Sequence, residues 1–218
     1  MTRISLRSAA LIAAIAASTA LSACAPLIVG GAMLGGTLMV TDRRTSGAQL
    51  EDQAIELKAL NRLGEALGGR ARVSVTSYNR LALITGEVVS DADRTRVEQT
   101  VARIENVHSI VNEITVTNPL PASVAGADSV LTSKVKASLV DSNDVLANAL
   151  KVVTERSVVY LMGRVTEAEA TRAADTARSV AGVQKVVKVF EIVTEAELAT
   201  LPANQPGGPP PVAPAPRR

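Results

Sequence analysis

The sequence is poor in the residues on which most protein chemistry depends. Trp is absent, and the only aromatic side chains are Tyr78, Tyr160 and Phe190. Histidine occurs once, at His108, and cysteine once, at Cys24. A lone cysteine permits no intramolecular disulfide, so the folded part must rely on its apolar cores. One His and one Cys cannot supply the ligand set of a structural metal site. No Ser or Thr stands in a nucleophile-elbow or phosphate-loop context, so a set of nucleophile, base and orienting group cannot be assembled. Acids do pair, as at Asp91 and Asp93, but at a helix start they serve capping and the helix dipole. His108, between Val107 and a strand-like run, reads as solvent-exposed. These absences argue against an enzyme, a cofactor, a bound metal and a small-molecule substrate.

Charge of one sign is also missing. The 23 basic and 21 acidic residues leave a formal charge of +2, and Arg3 and Arg7 supply that excess. Without a basic surplus or an aromatic stacking platform, the chain lacks what nucleic-acid binding requires.

What the chain does have begins at its start. Arg3 and Arg7 precede an apolar run over residues 9–20, followed by Leu21-Ser22-Ala23-Cys24. The charge and length pattern is that of a secretory signal peptide, residues 1–23, rather than a membrane span. Leu-Ser-Ala-Cys resembles the lipobox of bacterial lipoproteins, which implies a diacylglycerol on the Cys24 thiol and cleavage just before it. Several acyl chains on one residue, at about 0.8 kcal/mol per buried methylene, make a stable anchor where one chain is marginal. Residue 25 is Ala rather than the Asp associated with retention at the inner membrane. The resemblance therefore implies the periplasmic side of the outer membrane. Residues 25–41 are apolar but shorter than the roughly 18–20 residues of a span, and Gly30, Gly31, Gly35 and Gly36 weaken them as a helix. Residues 24–47 read as a lipidated terminus and tether.

From about residue 51 one pattern occurs twice. Asp52 is answered by Asp128 at an offset of 76, and Ile55, Ala59 and Leu63 by Leu131, Val135 and Leu139. The i, i+4, i+8 spacing marks the buried face of a first helix, and Asp52 and Asp128 are expected to cap it. Alternating runs follow, with Val73 and Val75 matching Leu150 and Val152. A second strand is expected over 81–88 and 158–165, carrying Gly86 and Gly163, where close backbone approach leaves no room for a side chain. Ser90 and Thr166 then cap a second helix, and residues 109–117 and 185–194 read as a last strand. The order is αββαβ, repeated.

The segment Leu161-Met162-Gly163-Arg164-Val165-Thr166-Glu167, with Val180-Ala181-Gly182-Val183-Gln184-Lys185-Val186, resembles the BON domain. Leu83-Ile84-Thr85-Gly86-Glu87-Val88 and Ile104-Glu105-Asn106-Val107 repeat the likeness. Behind a lipobox, the pair is similar to the dual-BON outer-membrane lipoproteins, as is Thr41-Asp42-Arg43-Arg44-Thr45. The resemblance implies an α+β fold of two tandem αββαβ domains, each a three-stranded mixed sheet with two helices packed on it. The boundaries are 48–118 and 126–195. Residues 119–125, with Pro119 and Pro121, form a linker, and the proline-rich stretch 196–218 is expected to be disordered.

The two first helices differ in their outer faces. With Leu131, Val135 and Leu139 inward, a step of ~100° per residue points Val130, Ser133, Ala137 and Val140 outward, flanked by Lys134 and Lys136. A small apolar strip edged by lysines suits a lipid interface, because the stems lie along acyl chains while the ammonium groups reach phosphates. The first copy instead carries Glu51, Asp52, Glu56 and Glu65. Residues 51–118 hold 8 basic and 10 acidic groups, giving −2, and residues 126–194 hold 9 and 8, giving +1, so the modules differ in the same direction as their first helices. The resemblance implies anionic phospholipid binding by the first helix of the second domain and a part in outer-membrane integrity. Relatives can place an aromatic near this helix start, where this chain has Val130. The alternative is a protein-interaction or assembly factor docking on outer-membrane or cell-wall proteins, with the run from 185 to 194 as the edge for a partner strand.

Overall fold

A computed structural model describes residues 42–68, 71–118, 122–142 and 147–201, with side-chain detail from residue 126 onward in the third segment. The expected signal peptide, Cys24 and most of the tether and tail lie outside these residues.

The repeat is realised twice. Module 1 comprises α1 (Ser46–Leu67), β1 (Arg72–Tyr78), β2 (Leu81–Val88), α2 (Asp91–Ala102) and β3 (Ser109–Val116). Module 2 comprises α3 (Ala122–Asp141), a 3-10 turn (Ala147–Ala149), β4 (Leu150–Glu155), β5 (Val158–Val165), α4 (Glu167–Arg178) and β6 (Lys185–Ile192); a short α5 (Glu195–Thr200) follows. Strand order, which an αββαβ sequence leaves open, is β1-β2-β3 and β4-β5-β6. In each sheet the hairpin pair is antiparallel and the last strand runs parallel to the central one. The second helix is the crossover that parallel pairing requires.

Both faces of each sheet are covered. On one, Ile55, Ala59 and Leu63 of α1 pack with Ile84, Val97 and Val101, and Leu131, Val135 and Leu139 of α3 pack with Leu161, Ala173 and Ala177. Each fully buried large aliphatic contributes about 1.5–3 kcal/mol. On the other, Tyr78, Leu83, Tyr160, Met162 and Val189 form one apolar layer that joins the two sheets. Polar contacts ring this layer. The Tyr78 hydroxyl donates to the Ala149 carbonyl at 3.0 Å, Asn79 Nδ2 to Glu191 Oε2 at 2.7 Å, and Lys151 Nζ to Glu56 Oε1 at 2.6 Å. Arg72 reaches both Glu87 in its own module and Glu155 in the other. Burial nevertheless pushes the Glu155 carboxyl above its ordinary value, outweighing the Arg72 contact.

The segment before α1 is pinned at the same junction. Arg43 donates to the Arg164 carbonyl at 2.7 Å and forks onto both carboxylate oxygens of Glu169 at 2.8 and 2.7 Å. Glu169 also completes the capping box of α4 with Thr166, and Arg43 holds its carboxyl below the ordinary value. Arg44 lies 4.3 Å over the Tyr78 ring and bonds Asp42 and Asp52.

Two expectations need correction. Asp52 and Asp128 do not cap their helices: α1 starts earlier, on Thr45, whose hydroxyl accepts from the Ala48 N–H, and α3 starts at Ala122, inside the stretch read as linker. Asp52 is 1% exposed and accepts from Ser77 Oγ and from the N–H groups of Asn79 and Arg80; Asp128 accepts from the N–H groups of Arg156 and Ser157. Those four residues have φ between 50° and 66°, the two-residue turn with both central positions left-handed that suits a hairpin's twist. Each buried carboxylate thus holds the β-turn of its own module in a conformation that non-glycine residues disfavour.

Candidate functional site

Helix α3 lies over β4, with Leu131, Val135 and Leu139 turned into the core. Helical geometry then fixes the rest: Val130, Ser133, Lys134, Lys136, Ala137 and Val140 are all exposed. Val130 and Val140 are 57% and 64% exposed, which for β-branched aliphatics leaves much of the apolar surface in water. Ser133 Oγ turns back to the Ser129 carbonyl at 3.1 Å, so it is satisfied within the helix and leaves the face little polar demand of its own. Neither Lys134 nor Lys136 forms an ion pair among the described residues. Lys134 and Lys136 stand on the opposite flanks of a weakly apolar strip, an arrangement suited to anionic groups above an apolar phase. Cys24 lies outside the described residues.

Beside this face is a cavity of about 260 Å³ between the C-terminal half of α3, the 3-10 turn and β4. Lys136, Val140 and Asn148 are its exposed residues, while Leu139 and Val152 are buried. Asn148 and this cavity escaped the sequence reading. The signal was available in the repeat: at an offset of 77, Asn148 falls on Ala71, a polar residue where the first copy has an apolar one.

Helix α1 presents a different outer face. Leu50, Leu57 and Leu60 are 69%, 60% and 68% exposed, a ridge the sequence reading also missed although the spacing i, i+7, i+10 places the three on one side. Of the acids on this helix, Glu51 accepts from Asn106 Nδ2 and Glu56 from Lys151 Nζ. His108 is exposed, and its backbone N–H donates to the Arg80 carbonyl at 2.9 Å. Among the described residues no three His, Cys, Asp or Glu side chains gather as metal ligands, and no helix is long and apolar enough to cross a membrane. Strand β6 pairs with β5 alone and forms an edge of its sheet.

Comparison with known proteins decides the family. The model of the BON domain matches residues 51–118 and again 127–194. The chain belongs to the BON-domain family. This dual-BON chain is 32% identical over 173 residues to outer membrane lipoprotein DolP of Haemophilus influenzae, covering 78% of this chain and 89% of that protein. It is 32% identical over 154 residues to the 21 kDa hemolysin of Actinobacillus pleuropneumoniae, covering 70% and 79%. It is also 31% identical over 117 residues to osmotically-inducible protein Y of Escherichia coli, covering 52% and 58%. Neither the family description nor these names denote an enzyme. The two BON domains are modules 1 and 2, and α3 is the first helix of the second.

Proposed function

We propose that this BON protein is a non-enzymatic lipoprotein, anchored through Cys24 to the periplasmic side of the outer membrane, that binds anionic phospholipid through α3 and helps maintain that membrane. The observation that carries the reading is the outer face of α3, where Lys134 and Lys136 stand exposed beside Val130 and Val140. The DolP-like relative, by its name an outer membrane lipoprotein, supports the location. The lipobox supports the anchor.

The energetics require both attachments. A helix face with two lysines and two valines, and no aromatic, binds a bilayer weakly. Tethering by the acylated terminus makes the contact effectively intramolecular, so a weak contact is populated. Acyl chains supply residence and α3 supplies lipid-dependent orientation.

The test is co-sedimentation of the mature chain from residue 24, with Cys24→Ser to prevent acylation, on anionic and neutral vesicles. The expected result is an excess on anionic vesicles that falls with salt and disappears in Lys134→Glu/Lys136→Glu, with circular dichroism unchanged. Equal binding to both vesicle types at low salt would overturn the reading. A docking role on an outer-membrane or cell-wall protein is the second reading, supported by the open edge of β6. Cross-links from β6 to a single stoichiometric envelope protein would favour it.

A further inference from the structure

The free edge of β1 and the outer side of α1 form one trough. Strand β1 pairs with β2 alone, and its two-residue turn makes Tyr78 and Leu81 the closing pair. Tyr78, Thr76, Ser74 and Arg72 therefore bond β2, while Ser77, Val75 and Val73 turn their N–H and C=O groups to the open side. Ser77 shows that parity directly: its N–H donates to Glu56 Oε1 at 2.8 Å and its carbonyl accepts from Lys151 Nζ at 3.1 Å, which closes the edge at that end. At Val73 and Val75 no hydrogen bond among the described residues engages the outward groups. Beside them a cavity of about 390 Å³ lies between α1 and β1, walled by Leu57, Leu60 and Leu63, and one of about 180 Å³ continues past Gly64 to Ala71. At an offset of 76, module 2 has Ser133 and Lys136 where Leu57 and Leu60 stand, so this exposed apolar wall belongs to module 1.

We propose that this trough takes up an extended segment of another protein, which pairs antiparallel with β1 at Val73 and Val75, lays aliphatic side chains against Leu57 and Leu60, and carries Lys or Arg at its flanks. The site is independent of the lipid-binding reading of α3 and lies on a different strand from the β6 edge. Three observations select the occupant. Unpaired main-chain groups beside an apolar wall are what strand addition uses, the main chain giving affinity and alternate side chains entering the groove. Residues of the added strand that bond Val73 and Val75 also point their side chains to the α1 side, because directly opposite residues share a face. The open strip is small: residues 50–60 of α1 span about 16 Å, and one helix is roughly 10 Å wide, far short of the ~800 Å² per partner that a stable pair of globular chains buries. A slender segment fits it and a second copy does not. Charge adds direction. Lys58 and Arg62 turn to the far flank of α1, donating to Glu105 and to the Arg103 carbonyl. Glu65 is exposed and forms no ion pair among the described residues, and residues 51–118 hold 8 basic and 10 acidic groups. Basic flanks are attracted to such a surface, whereas an identical copy would set like charge against like.

The test is a titration of the mature chain from residue 24, with Cys24→Ser, by the peptide acetyl-Lys-Thr-Val-Thr-Val-Thr-Lys-amide, followed by backbone amide and Leu methyl resonances. Saturable shifts are expected at the Val73 and Val75 amides and the Leu57 and Leu60 methyls, with slowed hydrogen exchange at those two amides. N-methylation of the peptide's two valines, which removes the N–H groups that face β1, is expected to abolish binding, whereas N-methylation of its central threonine is tolerated. Replacing both peptide lysines by Glu is expected to weaken binding at low salt. Leu57→Ser/Leu60→Ser, at two exposed positions, is expected to weaken it by about tenfold or more, with circular dichroism and sedimentation on anionic vesicles unchanged. Absence of saturable shifts at Val73 and Val75, equal binding of the N-methyl-valine peptide, or shifts confined to β6 would overturn the proposal. So would a chain that is dimeric without peptide and already protects these two amides, which would give the trough to a second copy.

Discussion

Single residues show both the power and the limit of reading a repeat. Asp52 and Asp128 were legible as equivalent, since they fall at the same offset as the apolar stripes around them. Their role was not. A polar residue near a helix start is most simply a cap, and nothing local reveals that the partner N–H groups lie 27 to 29 residues away in a turn. The tyrosines carry a similar lesson. Tyr78 and Tyr160 were noted only as scarce aromatics, whereas they sit at the junction of the sheets with their hydroxyls bonded to Ala149 and Glu113. Burial, aided by Asp42 beside Tyr78 and Glu113 beside Tyr160, pushes both phenols up to about 12. The native state therefore holds protons that the unfolded chain releases from its ordinary value of about 10 upward, and stability falls as pH rises between those two values. Because the chain has two Tyr and no Trp, tyrosinate absorbance reports these two groups alone. We expect no absorbance rise near pH 10 while the far-ultraviolet circular dichroism is native; such a rise would place the rings in solvent.

Elements were the most legible scale. The strands expected over 81–88 and 158–165 match β2 and β5 residue for residue, because central strands of a mixed sheet are apolar runs bounded by polar turns. Helix starts were not legible: α1 begins at Ser46 on a Thr45 cap and α3 at Ala122, at the same offset of 76, both ahead of the apolar stripes that reveal the repeat. Gly86 and Gly163, equivalent by sequence, are unequal in structure. Gly86 has φ +117°, and a Cβ there would lie 1.9 Å from the Arg72 carbonyl oxygen, whereas at Gly163 it would meet the end of Leu150 at 2.8 Å and the Ala149 oxygen at 2.9 Å without a positive φ. The first position combines a backbone clash with a disfavoured conformation. Gly86→Ala is accordingly expected to cost about 3 kcal/mol or more and Gly163→Ala about 1–2 kcal/mol, within the range of strain and overpacking mutations. Urea unfolding of the two variants measures the order, and a Gly163→Ala penalty equal to or larger than that of Gly86→Ala would contradict it.

At the scale of the whole described unit, the sequence showed two modules and not how they combine. The layer of Tyr78, Leu83, Tyr160, Met162 and Val189 is made of strand residues whose alternation says only that they leave the helix-covered face. The partner of that second face is another copy of the same fold, and no local pattern specifies it. Leu83 and Met162 are fully buried, so separating the modules would expose them, and the two domains should unfold together. We expect one urea transition for the native chain and two for Leu83→Asp, each with about half the original slope, since the slope follows the surface exposed. The variant places a carboxylate in an apolar layer, a change costing several kcal/mol at that junction. Two transitions in the native chain would mean that the layer does not couple the domains. The coupling also reaches function: a ligand that binds only the native state stabilises whatever unfolds with its site. On the proposed function, anionic phospholipid at α3 should therefore raise the midpoint of both modules in the native chain. In Leu83→Asp it should raise one transition and leave the other, that of module 1, where it was.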